Sequence, residues 1–221
     1  MSADPAPTAQ DNFLIHRLTA EFSNANTERH YREAALPSMC NDFRTAIGLG
    51  AFFFMAFGVA DFAALGATPD FWLLFYLRLS TTVTALSLIA LTYRIPSMVA
   101  TGWGATLIEV LAVLVNFVII TYRPLDLAPH ASAIIVIIVA IYVFIPNRFI
   151  LAATCAFLGT VSFGIYLFGW VHPDGATAIS IVAVMLLVNS FGTIAAYRFS
   201  QLRRREFAAL ESERRSKEAL L

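Results

Sequence analysis

The sequence predicts an all-α, polytopic membrane protein: a six-helix transmembrane bundle, N-in and C-in, with a helix running on from the last span into the cytoplasm. Three observations predict it. Of 221 residues, 58% are hydrophobic and 14% charged, with a mean hydropathy of +0.70, whereas soluble domains carry about a quarter charged residues. Six apolar runs approach the roughly 17–25 residues that cross a bilayer as a helix. The lysines and arginines then fall unequally on the two sides of those runs.

Taken in order, residues 1–12 begin with "MSADPAPTAQ", polar and without the basic and apolar regions of a signal peptide, and read as a disordered tail. Residues 13–42 read as one or two short amphipathic cytoplasmic helices, with "SNANTER" offering a capping start and Pro37 an end. The spans follow at 43–66, 71–92, 97–121, 128–145, 148–170 and 175–197, forming the membrane domain 43–197. The fourth is the shortest and needs Ala128 to His130 at the membrane surface to be long enough. Breaks at "GATPD", "YRIPS", "YRPLDLAP", "FIPNR" and "HPDG" mark the connections, and their shortness places sequential helices side by side and antiparallel.

With both ends inside, Arg17, Arg29, Arg32, Arg44, Arg94, Arg148 and the seven basic residues from Arg198 onward are cytoplasmic. Outside lie Arg123, Asp70, Asp126 and Asp174. Trp72, Trp103 and Trp170 fall near span ends, where indoles favour the interface. No internal repeat or pair of broken half-helices appears, which weighs against a transporter architecture. Small residues at Ala152, Ala156, Thr160 and Gly164 offer a packing stripe.

Residues 198–221 lack glycine and proline from Phe199 to Leu221, so the sixth helix can continue unbroken. Glu211 with Arg214 or Arg215, and Glu213 with Lys217, are spaced to pair along it. A heptad seam through Phe199, Leu210 and Leu220 also carries Arg203, Glu206, Glu213 and Lys217. Such a seam fits a signalling stalk with two registers of similar energy, and equally a plain solvated helix.

Three ionisable groups lie inside spans, where a charge at mid-helix costs about 2.5–3.5 kcal/mol on the most lenient scale. Asp61 and Arg78 sit at similar depth on adjacent antiparallel helices, roughly 8–11 Å below the outer surface at 1.5 Å per residue. They are expected to form an ion pair that either locks the bundle or belongs to a ligand site. Glu109 falls near the middle of the third span, with Gly102 and Asn116 on its face. It is expected as a neutral carboxylic acid bonded to Asn116 or to Asn189 of the sixth span, or as a sensor of ligand or protons.

At the outer mouth, Tyr122, Arg123, Asp126, His130, His172 and Asp174 can converge on a polar ligand or a divalent cation. No cofactor is otherwise expected, and no histidine lies deep enough for an intramembrane haem. The chain has no GxSxG, HExxH, phosphate loop or glycine-rich nucleotide loop. No catalytic residue is therefore assigned and the chain is expected not to be an enzyme. Cys40 and Cys155 suggest neither a disulfide nor a zinc site.

Glu28, Tyr31 and Arg32 in the first arm, Asp61, Arg78, "YRIP", "FIPNRF" with Arg148, and "NSFGTIAAYRFSQLRRREF" with Asn189, Gly192, Arg204 and Phe207 form a familiar order. From about Leu14 to Leu221 the chain resembles the membrane-associated sensor (MASE-type) domains that precede GGDEF diguanylate cyclases in bacteria. Similar modules precede class III adenylate cyclases and histidine kinases. The resemblance implies an inner-membrane input module without cyclase activity of its own. It would act as a homodimer through the sixth helix and a stalk that includes Arg203, Arg204, Phe207 and Leu210, read by a covalently linked output domain after Leu221. An unidentified small molecule would be its ligand, the bilayer its other partner, and nucleic acid no partner at all. A small transporter or channel built on Glu109 and the Asp61–Arg78 pair is the alternative of another class.

Overall fold

The computed structural model describes residues 13–123, 127–218 and Leu220. The expected disordered tail, 1–12, and Asp126 lie outside the described residues. Every long element is helical: α1 Ala25–Ala56, α2 Gly58–Leu65, α3 Pro69–Leu91, α4 Ser97–Thr101, α5 Trp103–Tyr122, α6 Leu127–Val143, α7 Phe149–Tyr166 and α8 Gly175–Glu218. Five helical stretches are long and apolar enough to cross a membrane: Ala25–Leu65, Pro69–Leu91, Trp103–Tyr122, Phe149–Val171 and Gly175–Glu218. The sixth apolar helix, α6, has 17 residues, about 26 Å against a hydrocarbon core of about 30 Å.

Asn24 caps α1, its Oδ1 accepting from the backbone N–H of Asn26 at 2.9 Å and of Thr27 at 3.2 Å. The helix then runs through Pro37 instead of ending there. Proline removes one helical hydrogen bond, but α1 is anchored on both sides of it. Glu28 and Tyr31 are buried before it, and Cys40, Phe43 and Ile47 after it. Tertiary packing overrides the local breaker, and in place of the expected one or two short helices a single helix of 32 residues runs on into the first apolar stretch. Ahead of it, residues 13–24 form a small loop closed by an Ile15–Phe22 antiparallel bridge.

α1 breaks at Phe57, and Gly66 turns the chain with φ +63° before Thr68 caps α3 through its Oγ1. The expected third span, 97–121, is in fact two helices. Gly102 takes φ +84° and separates α4 from α5, a conformation that costs glycine nothing. α7 ends in a π-helical turn, Leu167–Val171, followed by His172 at φ 45°.

The core has two main parts. Cys40, Phe43, Ile47, Ala85, Leu88, Met98 and Ile108 join α1, α3, α4 and α5. Ile134, Ile138, Ala152, Ala156, Phe163, Tyr166 and Met185 join α6, α7 and α8. Ala152 and Ala156 of the small-residue stripe are buried, and the buried face of α7 continues through Gly159 and Phe163. α5 is the central helix, with half of its most apolar stretch buried, against 11% for α8. α8 therefore lies at the bundle edge with apolar side chains such as Ile179, Leu187, Phe191 and Ile194 exposed. It continues without a break for 44 residues, about 66 Å.

Candidate functional site

Several polar clusters occupy this helical frame, and the one between α1 and α8 at Glu28 and Arg204 is the most connected. The N-terminal half of α1 packs against α8 where α8 has left its apolar stretch. Glu28 Oε1 and Oε2 accept from Arg204 Nη2 at 2.7 Å and Nε at 2.9 Å. Arg32 Nε donates to Oε1 at 2.9 Å, and the Phe22 backbone N–H to Oε2 at 2.9 Å. Four donors thus converge on one carboxylate that is 6% exposed. Arg204 also donates to Ser200 Oγ and lies over the Tyr31 ring at 4.7 Å. Below it, Phe207 sits in a cage of Phe22, His30 and Tyr31, with ring centroids 5.5–6.2 Å away.

The residues meet because spacing allows it. Tyr31 and Arg32 lie three and four residues after Glu28, on the same side of α1. Ser200, Arg204 and Phe207 follow one another at four- and three-residue steps on α8. The clamp is electrostatically favourable despite its burial. Desolvation alone would disfavour the charged Glu28, but Arg204, the Phe22 N–H and Arg32 outweigh it and hold the carboxyl below its ordinary value of 4.5.

A depressed folded-state pKa places the clamp's stabilising contribution fully above the ordinary carboxylate value and removes it as pH falls through the lower, folded value. The N-terminal arm should therefore keep its protection against amide exchange from about pH 7 to about pH 5, after correction for intrinsic rates, and lose it only below the ordinary range. Deprotection that begins between neutrality and about pH 5 would assign the loss to another group.

Asp61, 0% exposed, accepts from Arg78 Nε at 2.6 Å and Nη2 at 3.3 Å. A third member joins them: Arg123 Nη1 donates to Asp61 Oδ1 at 2.6 Å. The break between α1 and α2 leaves the Phe54 carbonyl to accept from Arg78 Nη1 at 2.9 Å. Arg123, grouped in the sequence with the outer loops, thus reaches into the bundle.

Among the remaining described members of that outer group the contacts are local. His130 Nε2 bonds the Arg123 carbonyl at 2.9 Å, and Asp174 accepts from the Thr177 N–H at 3.0 Å as the cap of α8. Tyr122 is 40% exposed, and His172 occupies the left-handed turn after the π-helical segment. Among the described residues, no group of three or more histidine, cysteine or acidic side chains is placed to hold a metal.

Glu109, Asn116 and Asn189 also separate. Because α5 starts only at Trp103, Glu109 lies about 9 Å from that end and not at mid-span. Its Oε2 accepts from Asn147 Nδ2 at 2.9 Å, which also donates to Thr106 at 3.0 Å. Its Oε1 is buried, and the Cys155 thiol is its neighbour across the α5–α7 contact. Asn116 is buried elsewhere on α5. Asn189 instead joins α6 and α7 to α8, accepting from Tyr142 Oη at 3.2 Å and donating to Thr160 Oγ1 and the Met185 carbonyl. Gly192 is necessary there, because a Cβ would collide with the Tyr142 ring.

On the stalk, Arg204 and Phe207 face the clamp, whereas Leu210 is 67% exposed and Arg203 makes only a loose surface contact with Asp42 at 3.7 Å. The pairs Glu211–Arg215 at 3.3 Å and Glu213–Lys217 at 2.7 Å form along α8, and Arg214 turns to Glu218 at 3.0 Å. Glu21, Phe22 and Asn147 were not legible as site residues. The one local signal for Glu21 and Phe22 was their position just ahead of the capping Asn24. No family model, curated protein or solved structure matches the chain.

Proposed function

We propose that this chain is the membrane input module of a bacterial signal-transduction protein. A change in the bundle alters how α8 is held, and α8 carries that change along a homodimeric stalk to a covalently linked diguanylate cyclase. The observation that supports it best is the Glu28–Arg204 clamp on a helix continuous from the apolar bundle into a charged stalk. A helix fastened beyond the bundle by its contacts with the arm has two distinct positions, seated and released, which a downstream domain can read. Exposed Phe199, Leu202 and Leu210 on the stalk supply the face for the second copy. In this reading α6 is a sixth, short span, both termini are cytoplasmic, and the inner membrane is the location. An adenylate cyclase or histidine kinase can replace the diguanylate cyclase without changing the physics. The Asp61–Arg78 pair does not favour transport, since the Asp61 carboxylate is held by both Arg78 and Arg123.

Fusing a diguanylate cyclase domain after Leu221 tests the reading. One residue inserted after Arg205 rotates everything beyond it by about 100°, whereas seven residues restore the face to within about 20°. The single insertion should change cyclase output sharply and the heptad insertion only mildly. Equal effects from both would count against a stalk read by its register.

A further inference from the structure

We infer that Arg148, at the corner between α6 and α7, is a positioning residue for the clamp: it seats the loop that completes Glu28's hold on Arg204. The inference rests on the reading in which that clamp sets the position of α8.

Arg148 reaches the loop by a two-pronged contact. Its Nε and Nη2 donate to Glu21 Oε1 at 2.8 Å and Oε2 at 3.0 Å. Glu21 Oε1 also accepts from Arg32 Nη2 at 3.0 Å. The next residue, Phe22, gives its N–H to Glu28 and its ring to Phe207. Holding Glu21 therefore holds Phe22 in the clamp. The loop is stiff enough to pass this on, because His16 N–H donates to the Glu21 carbonyl and Ser23 N–H to the Leu14 carbonyl, each at 2.7 Å. In sum, five side chains alternate in charge from bundle to stalk: Arg148, Glu21, Arg32, Glu28 and Arg204.

The inner end of this chain is fixed in the bundle. Asn147 Oδ1 accepts the Arg148 N–H at 2.7 Å, while Asn147 Nδ2 holds buried Glu109. The corner also fits closely over Gly102, where a Cβ would lie 2.5 Å from Asn147 Oδ1. A shift of α7 against α5 must then move Arg148, and with it the loop. The two-state element is the loop itself, seated on Glu28 and Phe207 or lifted from them, and spatial proximity alone would not make it a relay.

Amide exchange on the whole chain in lipid nanodiscs tests this. Arg148→Gln should raise exchange about tenfold over residues 13–24 and also over residues 199–210, with α5 unchanged. Arg148→Lys, which keeps the charge but cannot span both oxygens, should restore part of the protection. Should Arg148→Gln also loosen α5, Glu21→Gln on the loop carries the same expectation. Deprotection confined to residues 13–24, or identical behaviour of the Lys and Gln variants, would overturn the inference. Arg204→Gln separates the two levels. If it leaves residues 13–36 protected, the clamp reading falls and this inference with it. If it deprotects them while Arg148→Gln leaves 199–210 as in the native chain, only the role of Arg148 is lost.

Discussion

Replacing Arg204 with glutamine should release the N-terminal arm from α8 and change the output of a fused cyclase at least about tenfold. Removing one partner of a buried ion pair typically costs about 3–5 kcal/mol, because the remaining charge keeps its burial and loses its compensation. Glu28 would retain Arg32 and the Phe22 N–H, so the effect belongs to the contact between α1 and α8 and not to the bundle. Arg204→Lys should fall between native and glutamine, since lysine keeps the charge but cannot span both oxygens. Cyclic dinucleotide levels in cells, alongside amide exchange of the arm, measure both consequences. Output and exchange that both match the native chain would remove the clamp from the mechanism.

Asp61→Ala should have the largest effect on stability. Its carboxylate serves both Arg78 and Arg123 at 2.6 Å, and Asp61 is completely buried. Alanine leaves two guanidinium groups facing each other without it, at a cost on the order of 3–5 kcal/mol. For a chain of this size that corresponds to a fall in Tm of roughly 10 °C in detergent. Combining Asp61→Ala with Arg78→Leu should recover part of the loss, because the second change removes one stranded cation. A Tm within about 2 °C of native for Asp61→Ala would show the triad to be energetically idle.

The parts of this structure legible in the sequence are those fixed by local chemistry along the chain. Apolar run length pointed to an all-helical chain with several membrane-length helices, and the absence of glycine and proline after Phe199 foretold the continuity of α8. Matched depth on neighbouring antiparallel helices brought Asp61 to Arg78. What failed depended on partners distant in sequence. Pro37 reads as a stop, yet burial on both sides of it carries α1 through. Gly102 reads as one more small residue in a span, yet its left-handed backbone splits the helix and moves Glu109 toward one end. That shift gives Glu109 to Asn147 in place of Asn116 or Asn189. The Arg148–Glu21 contact joins residues 127 apart in sequence, and the Glu28–Arg204 contact joins residues 176 apart. Neither separation leaves a periodic trace. Arg204 and Phe207 stood out as a pattern, but their partners on α1 and the loop ahead of it depend on the contact between α1 and α8.

The central claim is that α8 is held beyond the bundle by the arm ahead of it. Pulsed electron–electron resonance measures this directly, with spin labels at Glu33→Cys and Ser212→Cys and with Cys40 and Cys155 replaced by alanine, in lipid nanodiscs. A narrow distance distribution in the otherwise native chain that becomes broad or splits in two on Arg204→Gln is the expected result. The same narrow distribution in both chains, or a broad one in both, would contradict a clamp on α8.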